Sequence, residues 1–321
     1  MIFIKKVALL LLIICVLGGC SVKKNSSILI SFETNGIFAH DLYSKKNSKI
    51  SDLFVFQGYA FTKNKDKIIV FGEDKSNKNF DFYIIDIKTA SVYSLNAYRF
   101  VENMKFKDND LLKNDELSAC SNLVFREDIN TLFFIRYYTN NLYYRVYKLN
   151  YITGEVFVTP LISGNPDNST LAVSEDNKTI LYTVRTTIED KNNKVTGVED
   201  KFEIMKYDFD TGIETKYLDG SSAQYSPNYE YLLYFTDTSR IVVDLKNNKK
   251  YSAECSYGYY YSYSFSSDSQ NLITQAYTTN SFSLFPSNRL EVQKIDFIKN
   301  KKTTIFKDNN GYVRNFLLIE N

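Results

Sequence analysis

The sequence predicts an all-β fold, a six-bladed β-propeller whose first blade is closed by the C-terminal strand. Two repeats and one interval support this. The first repeat is an apolar anchor, two variable positions, Asp or Asn, and three more positions before an apolar run. Its anchors are Phe61, Phe125, Val173, Tyr225 and Phe265, with Asn64, Asp128, Asp176, Asn228 and Asp268 as the polar residues. The second repeat is a strand-like stretch reaching Asp or Asn, then an apolar residue and a turn. It recurs at Asp41, Asp86, Asn150, Asp208, Asp244 and Asp296. Self-similarity near a fifty-residue period, all of it strand-like, is the pattern of a propeller. From a second mark to the next anchor is usually about 20 residues, within the repeat period of such folds. Counted on from Asp296, that interval lands in the apolar stretch from Val313 to Ile319. The C-terminus therefore supplies the inner strand that blade one lacks, and the closed ring leaves no sheet edge exposed.

In chain order, Ile28 to Phe32 and Gly36 to Asp41 are the second and third strands of blade one. Blade two has its inner and second strands in Ala60 to Phe71, and its third and outer strands in Asp81 to Leu95. The same two units recur at Val124 to Ile135 with Leu142 to Leu161, and at Ala172 to Thr183 with Lys201 to Leu218. They recur again at Gln224 to Phe235 with Arg240 to Ser256, and at Ser264 to Gln275 with Arg289 to Phe306. Thr153-Gly154 and Thr211-Gly212 suit type I turns closed by a left-handed glycine.

The inner motif is clearest as Tyr225-Ser226-Pro227-Asn228 and Phe265-Ser266-Ser267-Asp268. It is similar to the Phe-Ser-Pro-Asp-Gly repeat of TolB-like propellers, and the resemblance covers nearly all of the chain beyond the leader. The glycine after the Asp is absent from all five copies, and most copies lack the proline. With no Trp in the chain, there is no WD dipeptide. The resemblance implies the fold and transfers no active site.

The leader is a targeting segment. Lys5 and Lys6 precede an apolar run from Val7 to Leu17 that ends in Leu17-Gly18-Gly19-Cys20. That run is shorter than the roughly 20 apolar residues a spanning helix needs. Leu-Gly-Gly-Cys resembles the lipobox of bacterial lipoproteins, which implies that Cys20 is lipidated and becomes the first mature residue. The expected organisation is a signal peptide over 1–19, a lipidated tether over 20–27 and the propeller over 28–321. The expected location is extracytoplasmic, held at the bacterial membrane by acyl chains on Cys20.

Removing residues 1–19 takes away two lysines and no acids, leaving 37 Lys and Arg against 37 Asp and Glu. A formally neutral chain gives no reason to expect a nucleic-acid partner. Cys120 and Cys255 fall on blades that are not neighbours and are expected to be free, partly buried thiols. His40 is the only histidine, which excludes His-rich metal sites; in a third strand it is expected to be structural. No Gly-x-Ser-x-Gly, Cys-x-x-Cys or phosphate loop occurs. No catalytic residue, metal or cofactor is assigned.

Loop length then indicates a binding face. Connections in an antiparallel blade alternate between the two ends of the disc. The inner-to-second and third-to-outer turns share one end and are tight, whereas the long connections all fall at the other. They are Tyr98 to Ala119, Arg185 to Asp200 and Tyr277 to Asn288, and long loops on a rigid scaffold are where binding residues gather. The candidate partner-binding residues are Arg99, Phe100, Glu189, Asp190, Tyr257, Phe282 and Phe285. Tyr259, Tyr261 and Tyr263 share strand parity with the anchor Phe265 and are read as packing between blades. The expected function is a lipid-anchored platform for an unidentified protein or cell-envelope polymer. The alternative is a glycan-active hydrolase or lyase that uses carboxylates gathered at the channel.

Overall fold

A computed structural model of the chain describes residues 27–33, 35–61, 67–76, 78–102, 104, 117–138, 143–163, 170–188, 199–236, 239–253, 260–279, 288–308 and 313–319. Their strands form six four-stranded antiparallel blades in a ring. Blade one is β25 (Val313–Ile319), β1 (Ile28–Glu33), β2 (Gly36–Asp41) and β3 (Asn47–Ser51), in that spatial order. Blade two is β4 (Phe54–Phe61), β5 (Lys67–Asp74), β6 (Asn79–Asp86) and β7 (Ser91–Ser94). Blade three is β8 (Leu117–Arg126), β9 (Thr131–Tyr138), β10 (Tyr143–Asn150) and β11 (Val156–Val158), with β12 (Ile162–Ser163) also paired to β10. Blade four is β13 (Leu171–Val173), β14 (Thr179–Ile188), β15 (Glu199–Asp208) and β16 (Glu214–Asp219). Blade five is β17 (Ser221–Tyr225), β18 (Tyr231–Phe235), β19 (Arg240–Asp244) and β20 (Lys249–Ser252). Blade six is β21 (Tyr260–Phe265), β22 (Leu272–Thr279), β23 (Asn288–Asp296) and β24 (Lys301–Asp308). The innermost strands β4 and β8 touch in parallel at Gln57 and Ser121.

The predicted closure is present. Ile28 pairs with Ile319, Leu29 with Leu318 and Ile30 with Leu317, so the C-terminal strand is the innermost strand of blade one. All the strands among the described residues lie between Ile28 and Ile319, and the ring closes within that span.

The central strands read as unbroken apolar runs because both of their faces are buried. Ile68 and Val70 of β5 pack towards blade one, while Ile69 and Phe71 pack towards blade three. In β9, Leu132 and Phe134 face blade two and Phe133 and Ile135 face blade four. Leu232 and Leu233 divide in the same way in β18, as do Leu272 and Ile273 in β22. The core is thus six seams, one between each pair of blades.

The second repeat works as a side-chain cap on each third-to-outer turn. Asp41 accepts the N–H groups of Tyr43 and Ser44, both at 2.9 Å. Asp86 accepts those of Lys88 and Thr89 at 3.0 Å, and Asn150 those of Ile152 and Thr153 at 3.0 Å. Asp208, Asp244 and Asp296 hold their turns in the same way. Short polar side chains suit this role because they reach their own backbone two and three residues on.

His40 is buried, with Nε2 2.7 Å from Ser31 Oγ and Nδ1 3.0 Å from Asn47 Oδ1. Those bonds, together with the Phe306 ring at 4.8 Å, fit the structural role expected of it. Cys120 is free but wholly buried rather than partly so, and burial pushes its thiol up to about 12. Cys255 lies outside the described residues. The parity reading of the tyrosines needs a correction, because a bulge between Tyr260 and Tyr263 breaks the alternation of β21. Tyr263 does pack between blades, its ring 5.3 Å from that of Phe235.

The turn caps give a pH prediction. Backbone N–H groups of Ser44, Thr89 and Thr211 hold the carboxyls of Asp41, Asp86 and Asp208 below the usual value of 3.8. A carboxyl depressed by folding contributes stability above its unfolded pKa, and that contribution is lost as pH falls through the folded value. Asn already caps blade three. The double variant D86N/D208N is therefore expected to melt near wild type at pH 7 and to lose less stability below about pH 4, as read by thermal unfolding at each pH. Deleting residues 313–321 is expected to abolish the cooperative transition, because β1 then becomes an open edge.

Candidate functional site

The loop-rich end of blades two and three is organised by one buried carboxylate. Asp81, in β6, accepts the backbone N–H of Asn96 at 2.5 Å and those of Ala97 and Tyr98 at 2.9 Å, and also the Ser94 hydroxyl. These bonds start a short 3₁₀ turn at Tyr98–Phe100. Beyond it, Arg136 donates to Val101 O at 2.8 Å with its guanidinium 5.6 Å from the Tyr98 ring centre. The buried arginine so fixes the far side of the turn. Ala97, Val101, Tyr98, Phe100 and Met104 all join the seam between blades two and three.

Next to it, a cavity of about 330 Å³ opens between blades one and two, lined by Ser51, Asp52, Leu53, Asp74, Tyr83, Val92 and Ser94. Lys49 bonds the Asp52 carboxylate and holds it below the ordinary range. Burial, helped by Asp81 and Asp74, pushes the Tyr83 phenol up to about 12. At neutral pH the cleft therefore carries an ionised Asp52, neutral hydroxyls and an apolar floor. With Asp74 also on its lining, the cleft can accept hydrogen bonds from a polar ligand, and its serine hydroxyls can donate them. Among the described residues no group of three or more His, Cys, Asp or Glu converges on a metal-sized space.

Two extended hairpins give this end its relief. β14 and β15 each run ten residues and stay paired to Ile188 and Glu199, whereas β18 and β19 run five. An ion network braces the blade-four hairpin at its base, with Lys216 Nζ 2.7 Å from Glu203 and 2.8 Å from Asp219, and Lys201 3.1 Å from Glu203. The blade-six hairpin stays paired to Thr279 and Asn288. The ends of the stretches that the sequence presents as loops, 185–188 with 199–200 and 277–279 with 288, are therefore strand. A loop reading misses this because nothing in those polar residues marks them as paired.

At the tight-turn end, Arg126 ties three blades together. It donates to Ser174 O at 3.2 Å and Glu175 O at 2.7 Å in blade four, and to Tyr229 Oη at 2.9 Å in blade five. Tyr229 takes the left-handed conformation with φ +59, a region a bulky side chain rarely enters. The six innermost strands contain no Asp, Glu or His. A carboxylate pair at the channel would have to come from the turns at its mouths.

The predicted site residues distribute unevenly. Phe100 lies in the seam against Gly154, and Arg99 is exposed with its guanidinium 4.9 Å from the Phe100 ring centre. Phe100 thus packs between blades two and three, and Arg99 lies exposed over it. Cys20, Glu189, Asp190, Tyr257, Phe282 and Phe285 lie outside the described residues. Sequence reasoning missed Asp81, whose only signal is an acid at the start of an otherwise apolar strand.

No family model matches the sequence, and no curated protein matches it. Solved structures do share the fold. The chain is similar to TolB from Acinetobacter baumannii, with TM-score 0.58, 13% identity, and coverage of 96% of this chain and 69% of that one. It is likewise similar to a putative TolB from Agrobacterium tumefaciens, with TM-score 0.54, 13% identity, and coverage of 88% and 90%. At that identity the likeness establishes the TolB-like propeller fold and no more. An oligogalacturonate lyase in complex with manganese matches at TM-score 0.45 and 12% identity, covering 89% of this chain and 74% of that one, too weakly to support an argument about chemistry.

Two variants test this part of the molecule. Asp81→Ala removes the acceptor of three N–H groups, of which that of Ala97 is buried, and is expected to cost about 1–3 kcal/mol, read from denaturant unfolding. Gly154 has φ +76, and a Cβ there would lie 2.5 Å from Phe100. Gly154→Ala should therefore destabilise the wild-type protein clearly more than it does the Phe100→Ala background. Equal costs in the two backgrounds would remove Phe100 from the seam.

Proposed function

We propose that the protein is a lipid-anchored extracytoplasmic binding platform, whose loop-rich face engages a protein or cell-envelope partner. The observation that carries this reading is the one-sided relief of the ring. The six third-to-outer turns are short and capped, whereas the extended hairpins, the Asp81-held turn and the cleft all occupy the opposite end. A rigid disc with elaboration on one end has the form of a recognition surface. Cys20, at the close of a short apolar leader, is the proposed acylation site, and residues 21–27 tether the ring. The absence of channel-strand carboxylates leaves the glycan-enzyme alternative without a specific supporting observation.

Deleting residues 105–116, 190–197 and 281–286 together should leave the thermal midpoint near wild type and abolish partner crosslinking on intact cells. Unchanged crosslinking would refute the assignment of the face. Separately, Cys20→Ala is expected to block incorporation of labelled palmitate and shift the protein from the membrane fraction to the soluble one.

A further inference from the structure

The point where the chain enters the ring identifies which face lies towards the membrane. Ile28 pairs with Asp41, and Leu42 N donates to Ser27 O at 3.1 Å. Ser27 therefore leaves the ring at the tight-turn end, beside the turn between β2 and β3. The third-to-outer turns at that end are chemically unequal around the ring. Those of blades five, six and one, which are contiguous, expose apolar tips at Leu245 (39%), Ile298 (45%) and Tyr43 (61%). The same three turns and their flanks expose Lys45, Lys46, Lys246, Lys249, Lys250, Lys299 and Lys301. Among the described residues the acids facing them are Asp41, Asp244 and Asp296, each with a carboxylate oxygen bonded to backbone N–H, and the exposed Glu230, whose backbone oxygen accepts from Leu245 N. Lys299 is itself paired to Asp296 at 3.1 Å, so the lysines still outnumber the acids seven to four. Across the ring, Ile152 and Ile213 are also exposed but sit among Glu155, Asp208, Asp210 and Glu214.

We infer that the edge formed by the turns of blades five, six and one docks onto an anionic lipid surface. This rests on the lipid-anchored reading for one element only, the tether. Seven residues from Ser21 to Ser27 reach at most about 25 Å, and they leave from the lysine-rich sector itself. Apolar tips interleaved with lysines fit the boundary between headgroups and acyl chains. Each lysine held near an anionic leaflet strengthens binding by roughly fivefold. The loop-rich face is then presented away from the bilayer.

The test uses a chain beginning at Ser21, since the ring closes within residues 28–319, so no acyl anchor is present. Co-sedimentation with phosphatidylglycerol-containing vesicles is compared with phosphatidylcholine vesicles at two salt concentrations. Binding to the anionic vesicles alone, weakened by salt, is expected. K45E/K246E/K299E should lower it at least tenfold, and L245S/I298S several-fold, whereas I152S/I213S should leave it unchanged; each variant is first shown to melt like wild type. No vesicle binding, or equal binding by the charge-reversed variant, overturns the proposal. So does binding to a soluble polyphosphate chain without binding to vesicles. Palmitate labelling of Cys20 reports on the anchor independently, so failure of one leaves the other standing.

Discussion

Every blade of this protein is apolar on both faces, and that constraint governs the rest. A strand such as β5 sends Ile68 and Val70 one way and Ile69 and Phe71 the other, with none of the four above about 1% exposure. Burying such side chains contributes about 1.5–3 kcal/mol each, so one strand commits an amount comparable to the net stability of a whole domain. Neither face can be left to water, and a row of such blades stops growing only by meeting itself. The pairing of Ile28–Phe32 with residues 315–319 is the join that makes this possible. It brings the two ends of the described chain into one blade.

Packing is therefore shared out by seams, and the turns decide where the chain reverses. The TolB-like repeat puts a glycine after its Asp, and this chain has none. Asn177, Tyr229 and Ser269 occupy that position instead, at φ +62, +59 and +64. Asn tolerates this region well, and a tyrosine does not unless its surroundings hold it. For Tyr229 the hold comes from Arg126, two blades away, and from the ring of Tyr225 at 5.8 Å. A local departure from the repeat is compensated by a contact that no local pattern contains.

This also marks the boundary of what could be read beforehand. Strand order, the capped turns at Asp86 or Asp208, and closure at 313–319 were legible because repetition samples one local geometry several times. The closing strand was found by spacing alone, from an interval that the other blades had calibrated. What escaped depends on residues distant in sequence or on broken periodicity. Asp81 reaches sixteen residues on to Ala97, Phe100 meets Gly154 across a seam, and the bulge in β21 cancels a two-residue count. Loop length points to most of the partner-binding candidates, and a loop that continues a hairpin has the same composition as one that does not.

The position of β1 has a mechanical consequence. It lies inside blade one, flanked on either side by β25 and β2, and both pairings are antiparallel. A pull on Ser27 directed away from the tight-turn end acts along the strand axis. It loads the hydrogen bonds on both flanks in parallel, as shear, instead of opening them one at a time from an end. Rupture then requires many bonds to fail together, and its rate is set by the unfolding barrier rather than by equilibrium stability. A disc held through this strand, with a partner pulling on its far face, carries the tension across both of these pairings at once.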